Sequence, residues 1–165
     1  MSDAAAFDAF VRQRERQLQR AAWLLTGDWA AAEDLVQTAL VELWRHWDDV
    51  ESPLAYTHRS ISRAFVRGRR RRWTGEIPVG GLPESTAYAA EPETLARHDL
   101  VIALWQLPEK QRVAVVLRFF VDLDEAGTAA AMGVSRGSVK THLSRALARL
   151  REVPGLRSVL MEEGR

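Results

Sequence analysis

Residues 125–147, EAGTAAAMGVSRGSVKTHLSRAL, have the form of two short helices joined by a tight turn. Ala129 supplies a small side chain where the second helix crosses closely over the first. Gly133 follows four residues later at the turn, and Val139 is placed to pack the second helix back onto the first. This spacing predicts a helix-turn-helix.

The second helix of this pair, which begins after Ser135, has an apolar face and a basic face. On a helical wheel the apolar side chains point inward: Val139, Leu143, Ala146, Leu147 and Leu150. The opposite face carries small side chains flanked by cations: Gly137, Thr141, Ser144 and Ala148, flanked by Lys140, Arg145, Arg149 and Arg151. Small side chains ringed by cations let a helix enter the major groove while its flanks neutralise phosphates. This face predicts DNA binding.

A second basic segment, AYTHRSISRAFVRGRRRRW, occupies residues 55–73. Residues 54–72 hold seven arginines and no acid, although the net charge of the whole chain is only +1. Tyr56, Phe65 and Trp73 are interleaved with these cations, an arrangement suited to a strand whose bases can leave the duplex and stack. The alternatives are a localisation-like basic run or a solvated helix face.

Apolar periodicity and capping residues predict helices along most of the chain. Phe7, Val11, Leu18 and Leu25 form one stripe, Asp28 is placed to cap the next helix, and Pro53 suits the first position of a third. Residues 74–91 are rich in Gly, Pro and acid and are expected to form a flexible linker. The fold class is therefore all-α, with two small helical domains joined by that linker.

Composition argues against an enzyme, a secreted protein and a membrane protein. The chain has 165 residues and no cysteine, which excludes disulfides and thiolate metal sites and fits the cytoplasm. No apolar run approaches the ~18 residues of a membrane span, and the N-terminus lacks the apolar segment of a signal peptide.

The four histidines, His46, His58, His98 and His142, lack metal-ligand spacing and are expected to be surface or capping residues. Trp23, Trp29, Trp44 and Trp105 are expected in the core. No catalytic residue, metal or cofactor is predicted.

The order of these motifs resembles the extracytoplasmic-function (ECF) class of bacterial RNA polymerase sigma factors. The resemblance rests on AEDLVQTALVELWRHW, then SPLAYTHRSISRAFVRGRRRR, then the linker, then LPEKQRVAVVLRFFVDLDEAGTAAAMGVSRGSVKTHLSRALARLR, and it extends from about residue 7 to residue 151. It implies the following layout: sigma region 2, a helical bundle, in 1–73; a linker in 74–91; sigma region 4, with the helix-turn-helix, in 92–153; and a C-terminal tail in 154–165.

The resemblance also implies a function and assigns roles to residues. The protein is expected to be a cytoplasmic transcription initiation factor that binds core RNA polymerase, through the β′ clamp helices and the β subunit, and directs it to promoter DNA. An anti-sigma factor is a further candidate partner. Core-polymerase binding is assigned to Glu33, Asp34, Gln37 and Val41. The −10 element is assigned to Tyr56, Arg59, Arg63, Arg67, Arg70 and Arg71, and the −35 element to Arg136, Ser138, Lys140, Thr141 and Arg145. The loop at residues 48–53 resembles the one that captures a flipped −10 base.

Two positions depart from the pattern of this family. Many relatives carry Asn at the position of Arg63 and Glu at the position of Gly127, so the promoter preferences of those relatives do not transfer directly.

A transcriptional regulator of the LuxR type, with its own helix-turn-helix, is the alternative function. It leaves the N-terminal half of the chain unexplained.

Overall fold

The computed structural model describes residues 3–72 and 92–154, with side chains described for residues 3–68 and 98–154. Every regular element in these ranges is helical: α1 Ala4–Thr26, α2 Trp29–Arg45, a 3₁₀ turn Trp47–Asp49, α3 Pro53–Arg72, α4 Pro92–Gln106, α5 Glu109–Val115, a π-helical turn Val116–Phe120, α6 Glu125–Met132 and α7 Arg136–Arg151. The all-α prediction is confirmed. The predicted linker, the side chains of Arg70 and Arg71, and residues 155–165 lie outside the described residues. None of the described helices combines the length and the apolar character needed to cross a membrane.

Helices α1, α2 and α3 form the N-terminal group, and local capping fixes where they begin and end. The Asp3 and Asp28 carboxylates each accept two backbone N–H hydrogen bonds at the starts of α1 and α2. Gly27 ends α1 with φ +71°, a left-handed conformation that favours glycine. The apolar faces of the three helices meet in one core around Leu18, Leu25, Val36, Leu43 and Ile61.

Helices α4 to α7 form the C-terminal group. The helix predicted through EKQRVAVVLRFFV is not a continuous α-helix, because it widens to a π-helical turn in which the Val121 amide donates to the Val116 carbonyl. Asp124 then caps α6, and Gly133 ends it with φ +67°. The helix-turn-helix is therefore formed by α6 and α7, as the spacing predicted.

The two groups of helices pack against each other, which the sequence did not indicate. The Arg112 guanidinium of α5 is buried and donates hydrogen bonds to the carbonyls of Leu25 in α1, at 2.7 Å, and of Trp105 and Leu107 in its own group. The Trp105 indole N–H donates to the Leu24 carbonyl at 3.2 Å. Helix α3 also packs along α6. One hydrophobic core thus spans both groups.

Two expectations about single side chains were wrong. His58 is not a surface or capping residue: only 1% of it is exposed, because it lies on the inner face of α3. Trp29 and Trp44 are not core residues, since 53% and 39% of their surfaces are exposed. Each covers another ring instead, Trp29 stacking on Trp23 and Trp44 packing edge-on to Phe7.

Candidate nucleic-acid and polymerase interfaces

The basic face of α7 is presented by a helix whose other side is anchored in the core. Val139, Ala146 and Leu150 are buried at its back, and the Ser135 hydroxyl caps its start by accepting from the Ser138 amide at 3.1 Å. The four small residues predicted to face outward, Gly137, Thr141, Ser144 and Ala148, are all exposed. The face has the small side chains and the solvent-exposed helix start that approach to a DNA groove requires.

The five residues assigned to the −35 element lie along this face in different local settings. Arg136 and Lys140 are 68% and 70% exposed and both approach the Glu125 carboxylate of α6, at 3.1 and 3.9 Å. The hydroxyl of Ser138 accepts from that of Ser135, and the hydroxyl of Thr141 donates to the Gly137 carbonyl. Arg145 is exposed and forms no ion pair within the described residues. Glu125 was not among the predicted site residues, because nothing in its own segment marks it as a partner of α7.

The same helix carries one histidine with an altered titration. Partial burial, with the nearby charges of Lys110 and Arg145, lowers the pKa of His142. The imidazole is therefore favoured in its neutral form, and the positive charge of this face comes from its arginines and Lys140.

The arginines of α3 form a second basic surface at steps of four residues. Arg59, Arg63 and Arg67 line a small polar pocket of about 110 Å³ together with Tyr56, Ser60 and Glu42. The Arg59 guanidinium lies 5.2 Å from the centre of the Tyr56 ring. The Ser60 hydroxyl donates to the Glu42 carboxylate at 2.7 Å, which holds one acid among the cations. Glu42 and Ser60, which face α3 and α2 respectively, were not among the predicted site residues.

Helix α2 presents the residues assigned to polymerase binding on one exposed face. Glu33, Asp34, Gln37 and Val41 are all exposed, Val41 by 51%. Trp44 was expected in the core, yet it adds an exposed ring beside this face. An exposed valine and tryptophan among polar residues are typical of a protein interface.

The structure brings the α3 surface close to the helix-turn-helix. A Cβ placed on Gly133 would lie 3.8 Å from the Arg63 guanidinium. An apolar groove of about 200 Å³ lies between α3, α5 and α6, and its lining residues include Val66, Arg67, Lys110, Val113 and Met132. The predicted −10 and −35 surfaces are thus neighbours in this arrangement, while the α2 face lies apart from the groove.

Comparison with known proteins identifies the class to which this fold and these surfaces belong. The family model for sigma-70 region 2 matches residues 10–74, and that for sigma-70 region 4 matches residues 99–150. The RNA polymerase sigma-E factor of Streptomyces coelicolor is 39% identical over 155 residues, covering 92% of this chain and 88% of that protein. The chain belongs to the sigma-70 family, transcription initiation factors that bind core RNA polymerase and direct it to specific promoters.

Within that family the chain is an ECF sigma factor. It is 32% identical to the ECF RNA polymerase sigma factor SigM of Mycobacterium tuberculosis, over 93% of this chain and 79% of that protein. The region 2 match also accounts for the N-terminal half, which a LuxR-type regulator leaves unexplained.

Solved structures show the same fold. The sigma factor RpoE of Bartonella quintana, in complex with the anti-sigma factor NepR, aligns with a TM-score of 0.72 and 24% identity, over 89% of this chain and 95% of that one. CnrH, in complex with the cytosolic domain of CnrY, aligns with a TM-score of 0.65 and 21% identity, over 99% and 92% of the two chains.

Proposed function

We propose that the three exposed surfaces divide the work of promoter recognition between them. The α2 face binds core polymerase, the arginines of α3 hold the −10 element, and the outer face of α7 binds the −35 element. The polymerase performs the chemistry, and this chain acts in the cytoplasm without a catalytic group of its own. The proposed domains are residues 1–73, 74–91 and 92–153, with a tail in 154–165.

The observation that carries the −35 assignment is the contrast between the two sides of α7. Its inner side is fixed in the core by Val139, Ala146 and Leu150, so the helix is held rigidly. Its outer side presents small residues flanked by exposed cations. A rigid helix with low relief can enter the major groove, where Arg136, Lys140 and Arg145 reach phosphates and base edges, with Ser138 and Thr141 between them.

The α3 surface is suited to a strand with unpaired bases. Arg59, Arg63 and Arg67 supply charge along one side of the helix, and Tyr56 supplies an aromatic ring at its start. Arginine contributes affinity for phosphates at any sequence, and an aromatic ring can stack on a base that has left the duplex. Opening the duplex costs a few kcal/mol per extruded base, which this capture offsets. Arg70 and Arg71 would add further positive charge for contacts to the DNA backbone.

Both DNA surfaces can bind one promoter only if the two groups of helices separate. Elements centred at −10 and −35 lie about 25 base pairs apart, or roughly 85 Å along B-form DNA. Helices α3 and α6 are in contact, with Arg63 close to Gly133. We therefore infer that the compact arrangement is that of the chain away from the promoter. An anti-sigma factor, as bound in both similar structures, is a candidate partner for such a state.

Two sets of substitutions test this division of labour. Lys140→Glu or Arg145→Glu should abolish promoter-specific initiation and leave core-polymerase affinity unchanged, because α7 lies away from the α2 face. Gln37→Ala combined with Val41→Asp should weaken core binding instead. Polymerase affinity is measured by fluorescence anisotropy, and initiation by transcript mapping on promoters selected with the wild-type chain.

Arg16→Glu is the matched control for charge reversal, because Arg16 is exposed on α1 and belongs to none of the three surfaces. It should leave both readouts at wild-type values. Equal losses of both readouts in the α7 variants would contradict the assignment, as would an unchanged polymerase affinity in the Gln37/Val41 variant.

A further inference from the structure

One acid of the helix-turn-helix contacts two of the cations assigned to the −35 element. Oε1 of Glu125, in the first turn of α6, accepts a hydrogen bond from Nε of Arg136 at 3.1 Å and lies 3.9 Å from Nζ of Lys140. Arg136 and Lys140 are one helical turn apart on α7, so a single carboxylate oxygen serves both.

The hydrogen bond to Glu125 leaves both terminal nitrogens of the Arg136 guanidinium available to DNA. Glu125 engages Nε, on the side of the guanidinium, and neither terminal nitrogen bonds to another described residue. The two terminal nitrogens form the fork that binds O6 and N7 of guanine in the major groove. A guanidinium held at Nε has fewer rotamers to lose on binding, so its fork is oriented before DNA arrives.

The contribution of Glu125 to folding is small. Glu125 is 27% exposed, whereas Arg136 and Lys140 are 68% and 70% exposed, and an ion pair whose cations are this exposed contributes little to stability. A carboxylate on a DNA-binding face also repels phosphates, which lowers affinity for any sequence. An acid that weakens non-specific binding and orients a base-contacting arginine raises the ratio of specific to non-specific affinity.

We infer that Glu125 is a positioning residue that sets base specificity at the −35 element. Its carboxylate aims the Arg136 fork at a guanine, and it also pairs with the Lys140 ammonium, 3.9 Å away. This inference rests on the proposed binding of the −35 element by α7. Arg145, which lies further along the same helix and has no such acid, contacts DNA without this orientation.

The test compares Glu125→Ala with the matched control Glu152→Ala in the full-length chain assembled with core polymerase. Glu152 is exposed just beyond α7 and forms no ion pair within the described residues, so its replacement removes the same charge without releasing Arg136. Each holoenzyme selects sites from one duplex pool randomised over the −35 region. Binding to the selected wild-type site and to a scrambled duplex is then titrated across salt concentrations.

For Glu125→Ala we expect the preference for guanine at one position of the site to fall about tenfold, as for loss of a bidentate contact. Affinity for the scrambled duplex should rise about twofold to threefold, since one phosphate-repelling charge is gone. Glu152→Ala should keep the guanine preference. Arg136→Ala should lose the same preference, and adding Glu125→Ala to it should cause no further loss at that position.

The outcomes separate this inference from the function it rests on. If the wild-type holoenzyme selects no −35 sequence, the proposed function itself fails. If it selects one and Glu125→Ala retains the full guanine preference, Glu125 does not position Arg136 and the inference is wrong. A purely structural role is recognised by a fall in melting temperature with all positions weakened alike, whereas we expect a change of no more than about 2 °C.

Discussion

Replacing Gly27 by alanine tests whether the two groups of helices pack against each other in solution. A Cβ at this position would lie 3.1 Å from Cε2 of Trp105, so the indole must shift by a few tenths of an ångström. The left-handed backbone, with φ +71°, costs an L-residue about 1–2 kcal/mol. The shift of the indole adds about 1–3 kcal/mol of overpacking, and it weakens the hydrogen bond from Trp105 to the Leu24 carbonyl. We expect a total loss of roughly 2–5 kcal/mol.

Two other glycines separate backbone strain from the contact with Trp105. Gly133 has nearly the same backbone, with φ +67°, but its nearest neighbour would be the flexible end of Arg63 at 3.8 Å. Gly133→Ala should therefore cost only the strain, about 1–2 kcal/mol. Gly68 lies within α3 with nothing inside 4 Å of its missing Cβ, so Gly68→Ala should stabilise the protein by about 0.5–1 kcal/mol.

The assay is urea unfolding of the full-length chain followed by circular dichroism, from which the free energy of unfolding of each variant is obtained. The decisive quantity is the difference between Gly27→Ala and Gly133→Ala, expected to be about 1–3 kcal/mol. Equal losses in the two variants would show that Trp105 does not lie on Gly27 in solution, and the packing between the groups would then be wrong.

Three further substitutions, one of them a control, test the buried polar groups. Arg112→Met should destabilise the protein by about 3–5 kcal/mol in the same assay, because it leaves the buried carbonyls of Leu25, Trp105 and Leu107 without their donor. Arg118→Met, which removes one long hydrogen bond of 3.4 Å, should cost less than about 1 kcal/mol. Burial lowers the pKa of His58 from 6.5 to about 4. The unfolded chain therefore binds a proton that the folded chain excludes, and stability present above pH 6.5 is lost by up to about 3 kcal/mol as the pH falls to 4. The unfolding free energy of His58→Leu, measured at pH 7, 6 and 5, should lack this decline; a decline equal to that of the wild type would contradict the burial of His58.

Local signals in the sequence were sufficient for the helices and the helix-turn-helix. Capping carboxylates and hydroxyls act within three residues, so Asp28 and Ser135 marked helix starts that the structure confirms. The helical period of α2 and the polarity of the neighbouring side chains predicted an exposed face for Val41, and the structure confirms it. The same reasoning failed for His58 and Trp44, because a helical wheel gives direction but not which neighbouring helix covers a face. Other helices cover the face of α3 that carries His58, whereas Trp44 lies at the edge of the N-terminal group of helices and stays exposed.

The packing between the two groups depends on contacts that no local pattern records. Arg112 and Leu25 are 87 positions apart, and Trp105 and Leu24 are 81 apart. Their physical basis is nevertheless simple, since the last carbonyls of α1 have no partner within that helix and need donors. Arg112 and Trp105 supply those donors from the other group. If the groups separate on a promoter, as proposed, water can bind the same carbonyls, so the net loss per hydrogen bond is only about 0.5–1.5 kcal/mol. These exchangeable hydrogen bonds then oppose separation only weakly, and the apolar core that the two groups share is the larger cost that binding to polymerase and DNA must offset.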